Sequence, residues 1–320
     1  MKTILNYKNI YQYLLNSCIC PEEIKTISLE YIKLDNFYRQ EKAFPSAIAA
    51  QLGTTLASLH RDSLNHQELY EFIAKTDPGK LDYQNPNYSA QLLNKIEPED
   101  FSHFTHESII FFKNYHRHES FTSAVAELTL NQHHCCLTYN TLKLNNILIS
   151  RDWEKLIYQT EQSNQGIIKL INWENWSWGD PAFDLGTVIS NYLLIWLNSL
   201  IVHPVIELQK SLQMATIPLE VLHPSIVALT QAYLSSFPVL DYYPNFMTRV
   251  IQFVGLGLLY EIVEISQWQK NFNDRGLCIL QVAKSLLCRP EQSFNAVFGM
   301  AESEITNLTN LTNLEPSSIK

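Results

Sequence analysis

His133, His134, Cys135 and Cys136 are adjacent residues of the types that hold zinc. On an extended segment neighbouring side chains point to opposite faces, so the four cannot all reach one ion. The spaced ligand pairs of structural zinc sites are also missing. Cys18, Cys20, Cys135, Cys136, Cys278 and Cys288 form no C-x-x-C pair. Neither a Gly-x-Ser-x-Gly elbow nor a His-Glu-x-x-His pair occurs, so hydrolase chemistry has no motif to rest on. His116, Arg117, His118 and Glu119 form a charged cluster that reads as a solvated helix face. His60 and His66 flank a helix end, where imidazole is an ordinary stabilising choice. Asp82, Glu97, Glu99 and Asp100 show no paired spacing that demands acid–base work. Trp173, Trp176, Trp178, Tyr260 and Trp268 could line a ligand pocket. Large aromatics dominate ordinary cores, however, and core packing is the expectation.

The elements that must position these residues are mostly helical. With 46% hydrophobic and 17% charged residues in a chain of 320, there is ample material for a large core. A formal net charge of −9 argues against a nucleic-acid surface, which needs clustered Lys and Arg. Only 9 glycines and 13 prolines disfavour turn-rich sandwiches and barrels. Leu185 to Ile206 carries no charge, but Ser190, Asn191, Asn198, Ser199, His203 and Pro204 interrupt it. No basic cluster flanks it either, so it reads as a buried core helix and no membrane is expected. The N-terminus does not resemble a signal peptide, and with this cysteine usage the expected compartment is the cytoplasm.

Apolar residues at three- and four-residue steps predict helices over 5–15, 22–38, 46–60, 89–97 and 106–131, with Ser46 as a cap. Further helices are expected at 184–201, 205–214, 224–236, 244–270 and 275–288. Residues 76–88 read as a loop and the Asn-Leu-Thr repeat at 307–313 as a disordered tail. Leu144–Ile149 and Gly166–Trp173, separated by the polar stretch Ser150–Gln165, predict a β-hairpin with a long loop. The fold class expected is mainly α with a small β-hairpin.

Two segments flank that hairpin: LTYNTLKLNNILI at 137–149 and IKLINWENWSWGDPAFDL at 168–185. Together they resemble the catalytic core of the aminoglycoside phosphotransferase and choline kinase family, relatives of protein kinases. The family pattern runs His-Gly-Asp-x-x-x-x-Asn-Ile-Leu, then Ile-Asp-Trp-Glu, then Gly-Asp-Pro-x-x-Asp-Leu, and three blocks match in order. Ala47–His60 and Val250–Ile265 also look like this family's helices. The resemblance covers residues 30 to 300 and is strongest between 137 and 187.

The resemblance implies roles residue by residue. In this chemistry one Asp orients and deprotonates the substrate hydroxyl, while an Asn and a second Asp hold the magnesium ions that bridge the phosphates. The first Asp position is Thr141 here, and the preceding His position is Tyr139. A threonine hydroxyl cannot act as a general base near neutral pH. The second Asp position is Asn172, whose amide offers magnesium an oxygen but no charge. Asn146 persists, so Asn146 and Asn172 are the remaining magnesium candidates. Lys143 stands where many protein kinases carry a phosphate-contacting lysine, and with Asn146 it is a residual nucleotide candidate. Asp180 and Asp184 match the closing block, where capping and loop bracing are the expected roles.

The segment from Leu29 to Tyr38, followed by Phe44-Pro45, resembles the hinge and first helix of the family's large lobe. A kinase small lobe needs a glycine-rich loop and a strand-borne lysine. The first glycine here is Gly53, in a predicted helix, and neither Lys25 nor Lys33 sits in a Val-Ala-Ile-Lys strand. The expected organisation is therefore a helical segment at 1–28 replacing the small lobe, a large-lobe-like domain at 29–300, and a flexible tail at 301–320. The expected function is a catalytically inactive pseudokinase acting as a binding or scaffold protein, with no cofactor. Its partner would be another protein or a second copy, over the face left by the missing small lobe. One alternative is an atypical phosphotransferase using Mg-ATP on a small-molecule hydroxyl. The other is a small-molecule binding module.

Overall fold

Three strands that share no hydrophobic run in sequence meet beside a helical core. The computed structural model describes residues 29–81, 92–93, 104–140, 142–159, 167–203 and 205–306. Strand β1 (Tyr31–Lys33) leads directly into helix α1 (Leu34–Glu41), followed by α2 (Ser46–Ser63) and α3 (Gln67–Thr76). Next come α4 (His106–His116), α5 (Glu119–Leu130), β2 (Cys136–Thr138), β3 (Ile147–Ser150) and α6 (Trp153–Gln159). Strands β4 (Ile168–Leu170) and β5 (Ser177–Gly179) precede α7 (Pro181–Asn198) and the short α8 (Leu208–Ser211). Helices α9 (Leu219–Ser236), α10 (Phe246–Trp268), α11 (Asp274–Cys288) and α12 (Pro290–Phe298) complete the set.

The chain is mainly helical with small antiparallel sheets. The hairpin forms where the two apolar runs predict it, with Ile147 opposite Leu170 and Ile149 opposite Ile168. The segment between its strands also contains α6. A second pair joins β2 to β5 with Cys136 opposite Gly179, which brings the 137–149 segment against the 168–185 segment.

Several boundaries differ from the periodicity. Residues 31–33 are a strand, not part of a helix over 22–38, because Tyr31 to Lys33 pair antiparallel with Leu148 to Ser150. That ladder satisfies backbone groups which a helix would have satisfied locally, and Lys33 ends a strand as a result. The helix expected over 106–131 breaks at Arg117 and His118 into α4 and α5. Ser46 is the first helical residue rather than the cap, and Pro45 precedes it without a side-chain bond. Helix α9 begins five residues before Pro224 and carries that proline inside it, while α8 is shorter than the expected 205–214. The expectations for 1–28, for 307–313, for most of 89–97 and for Asp82, Glu97, Glu99 and Asp100 lie outside the described residues.

One continuous core runs from Leu34 to Ile305. Helix α2 lies so close to α9 that a Cβ on Gly53 would overlap the Leu229 carbonyl oxygen. Helix α10 packs on α7 and on α11. It is long and apolar enough to cross a membrane by length and composition, but 72% of its most apolar window is buried inside this fold. It is a core helix here, and α7 buries Leu185, Val188, Ile189, Tyr192 and Leu193 in the same core.

Candidate functional site

Asp184, one turn into α7 and fully buried, organises the chain entering the site. Its Oδ2 accepts the Tyr139 backbone N–H at 2.6 Å and its Oδ1 accepts that of Asn140 at 2.7 Å. His60 of α2 joins them, with Nε2 at 3.1 Å from Asp184 Oδ2 and Nδ1 at 2.8 Å from the Tyr233 hydroxyl. A neutral imidazole protonated on Nε2 satisfies every one of these groups: Tyr233 donates to Nδ1, and Nε2–H donates to Asp184. Burial pushes the Tyr233 phenol well above its ordinary range, with nearby Cys136 and Asp184 adding to the effect, so its hydroxyl stays a donor.

The braced loop turns at Asn140, whose φ of 70° is left-handed, a conformation Asn tolerates better than most residues. Its Oδ1 accepts from the Thr138 hydroxyl at 2.8 Å, and its Nδ2 donates to the Asn175 carbonyl at 2.6 Å and to Ser177 Oγ at 2.8 Å. Beside it the Tyr139 hydroxyl reaches across to the hairpin. Its single hydrogen is shared between the Ile171 carbonyl and the Asn172 carbonyl, the latter at 2.7 Å. Burial raises this phenol's pKa as well, Glu174 and Asp184 adding to it.

Asp180 caps α7. Its Oδ1 accepts the Ala182 N–H at 3.0 Å, with Pro181 in the first turn as helix starts favour. Its Oδ2 accepts the His133 N–H at 3.0 Å and pairs closely with Arg249 of α10, which ties three segments to one buried carboxylate.

Asn146 and Asn172 meet at the open end of the hairpin. The Ile171 N–H donates to the Asn146 carbonyl at 3.0 Å, extending the β3–β4 ladder by one step. Asn172, left-handed at φ 61° and ψ 62°, then donates its side-chain amide to Asn146 Oδ1 at 2.9 Å. These two amides do not fit magnesium. Magnesium dehydrates reluctantly and is held by carboxylates together with substrate phosphates. Here both candidate ligands are neutral, and the Asn146 oxygen is already engaged by its neighbour. Thr141 lies outside the described residues.

The Asn146 N–H donates to the Lys143 carbonyl at 2.9 Å, but the Lys143 ammonium is held by α10, 2.5 Å from Glu264 and 3.4 Å from Glu261. Burial alone would lower its pKa, but the two carboxylates outweigh burial and raise it. The cavity beside it, lined by Asn140, Phe183, Asn191 and Tyr260 among others, measures about 50 Å³, room for a water or two and not for a nucleotide.

The aromatic residues divide. Trp173, Trp176 and Trp178 are buried, and the indoles of Trp173 and Trp178 donate to the Leu170 and His134 carbonyls at 2.9 and 3.1 Å. Trp268 is 75% exposed at the end of α10 and joins none of them. His134 Nδ1 lies 2.9 Å from the Trp178 carbonyl, and Cys135 and Cys136 are buried. Among the described residues no cluster of three or more His, Cys, Asp or Glu is arranged to hold a metal ion.

Sequence reasoning missed His60, Tyr233, Asn140, Arg249 and the Glu261–Glu264 pair. His60, expected only as a stabilising imidazole at a helix end, is a buried brace. Its signal was its place on the α2 stripe of Ala49, Leu52, Gly53, Leu56 and Ala57, where a polar residue must find a partner. A scan against protein-family models matches none, and a search of curated proteins returns no significant match.

Proposed function

We propose that this chain is a pseudokinase of the aminoglycoside phosphotransferase type, a catalytically inactive binding or scaffold protein working in the cytoplasm. The observation that carries the reading is the contrast between brace and centre. Asp184 and the Asn140 turn hold the loop through buried and part-buried hydrogen bonds, while Asp180 caps α7. At the metal-holding positions themselves stand Asn146 and Asn172, two neutral amides bonded to each other, with the Asn172 carbonyl tied to the Tyr139 hydroxyl. Phosphoryl transfer depends on positioning and on charge stabilisation, and a site that keeps the first without the second has little to offer the reaction. Lys143 supports the same reading, because its charge is already neutralised by α10. The thiols of Cys135, Cys136, Cys278 and Cys288 are free, as suits a reducing compartment.

Thermal unfolding with and without ATP and magnesium in millimolar excess tests this. A ligand at about a hundred times its dissociation constant adds roughly 2.7 kcal/mol, which moves the midpoint of a chain this size by at least a couple of degrees. The expected result is no magnesium-dependent shift. A clear rise would overturn the reading in favour of an atypical phosphotransferase.

A further inference from the structure

Arg275, in the first turn of α11, is half-buried, and its Nε is buried with no hydrogen-bond partner. Its Nη2 reaches the Leu200 carbonyl at 3.4 Å, and no ion pair among the described residues includes this guanidinium. The adjacent Asp274 stands in the first turn, which Asn273 caps, and forms no ion pair with Arg275. A half-buried guanidinium without a counter-ion is a costly arrangement, and a guanidinium is a good donor to a carboxylate.

The guanidinium borders a cavity of about 140 Å³ between α7, α10 and α11. Asn198, Gln269 and Asn271 line the same cavity, together with Ile262 and Ile279. Asn271 Oδ1 already accepts from Asn273 at 3.1 Å, which leaves its Nδ2 as a donor. We propose that this cavity binds a small organic monocarboxylate, its headgroup on Arg275 and the amides and its short apolar tail on the isoleucines. Charge and size choose this class. One guanidinium among neutral amides suits a monoanion better than a phosphate dianion. A cavity of about 150 Å³ lined by aliphatic residues accommodates a benzene-sized group, so the tail is limited to about four to six carbons. The cavity shares no lining residue with the one beside Lys143, so the inference stands apart from the pseudokinase reading.

Isothermal titration of the full chain with sodium pentanoate, against sodium chloride at matched ionic strength, tests this. Saturable binding is expected with a dissociation constant on the order of a millimolar. Pentanamide, equal in shape but uncharged, should bind about ten- to a hundredfold more weakly to the same unaltered protein. Arg275→Gln should weaken pentanoate by a similar factor, and Arg275→Lys, which keeps the charge and loses the fork, by less. Absence of saturable pentanoate binding, or equal affinity for pentanamide, overturns the assignment without recourse to any variant. Unchanged pentanoate affinity in a folded Arg275→Gln protein overturns it as well.

Discussion

Asn172 donates its side-chain amide to Asn146 Oδ1 at 2.9 Å across the open end of the β3–β4 hairpin. The pair is self-satisfied, and replacing either member by a carboxylate converts a closed contact into a charged one that seeks a cation. The double substitution Thr141→Asp with Asn172→Asp is expected to leave the protein without measurable ATP turnover in a coupled assay. Appreciable turnover would show that nucleotide is already bound productively, and the pseudokinase reading would fall.

Asp184 is the residue on which the loop most depends. Asp184→Ala removes the acceptor for two backbone N–H groups and for His60 while leaving all three buried. Breaking a buried charged network from one side costs about 3–5 kcal/mol. Urea denaturation should report a loss of that size. A change within about 0.5 kcal/mol, the range of ordinary surface substitutions, would mean the brace is not formed.

Tyr233→Phe makes a gentler cut in the same network, since it removes only the hydroxyl that satisfies His60 Nδ1. An unsatisfied buried acceptor costs about 1–3 kcal/mol, and the midpoint of chemical denaturation should fall accordingly.

Gly53 faces α9 with no room for a side chain. An added Cβ would meet backbone atoms of Leu229, which cannot rotate away. Gly53→Ala gains helix propensity of about 1 kcal/mol, yet overpacking costs typically 1–3 kcal/mol. With the clash falling on backbone, net destabilisation is expected in a thermal scan, and a stabilised variant would contradict the close α2–α9 approach.

Lys143 offers a test by pH. Its folded pKa is raised above the unfolded value, so its pairing with Glu261 and Glu264 contributes stability that is fully present below the unfolded pKa of about 10.4. The contribution disappears as pH climbs through the folded value. The Lys143 side chain is 39% exposed, and solvent screening limits the effect to less than about 1 kcal/mol. The stability difference between the unaltered protein and Lys143→Met should therefore be small and positive at pH 8 and should shrink on the alkaline side. A difference that grew with alkaline pH would exclude the ion pair.

The sequence by itself determined what depends on neighbours along the chain. The 3.6-residue stripe of Ile48, Leu52 and Leu56 specifies α2, and the Asp180-Pro181 start specifies where α7 begins, since cap and first turn are local chemistry. Two apolar runs around a polar stretch were enough for the β3–β4 hairpin. Tertiary structure alone decided the rest. Tyr31 to Lys33 carry no strand signal of their own and become one by pairing with a segment more than a hundred residues away. His60 reads as a helix-end imidazole until α7 and α9 place Asp184 and Tyr233 against its two nitrogens. Lys143 reads as a phosphate contact until α10 supplies carboxylates 118 and 121 residues away. In each case the deciding partner is a polar group that packing brings from a distant part of the chain. For buried groups such as His60 and Asp184 removal from water makes pairing compulsory, and only the folded chain determines which residue stands opposite.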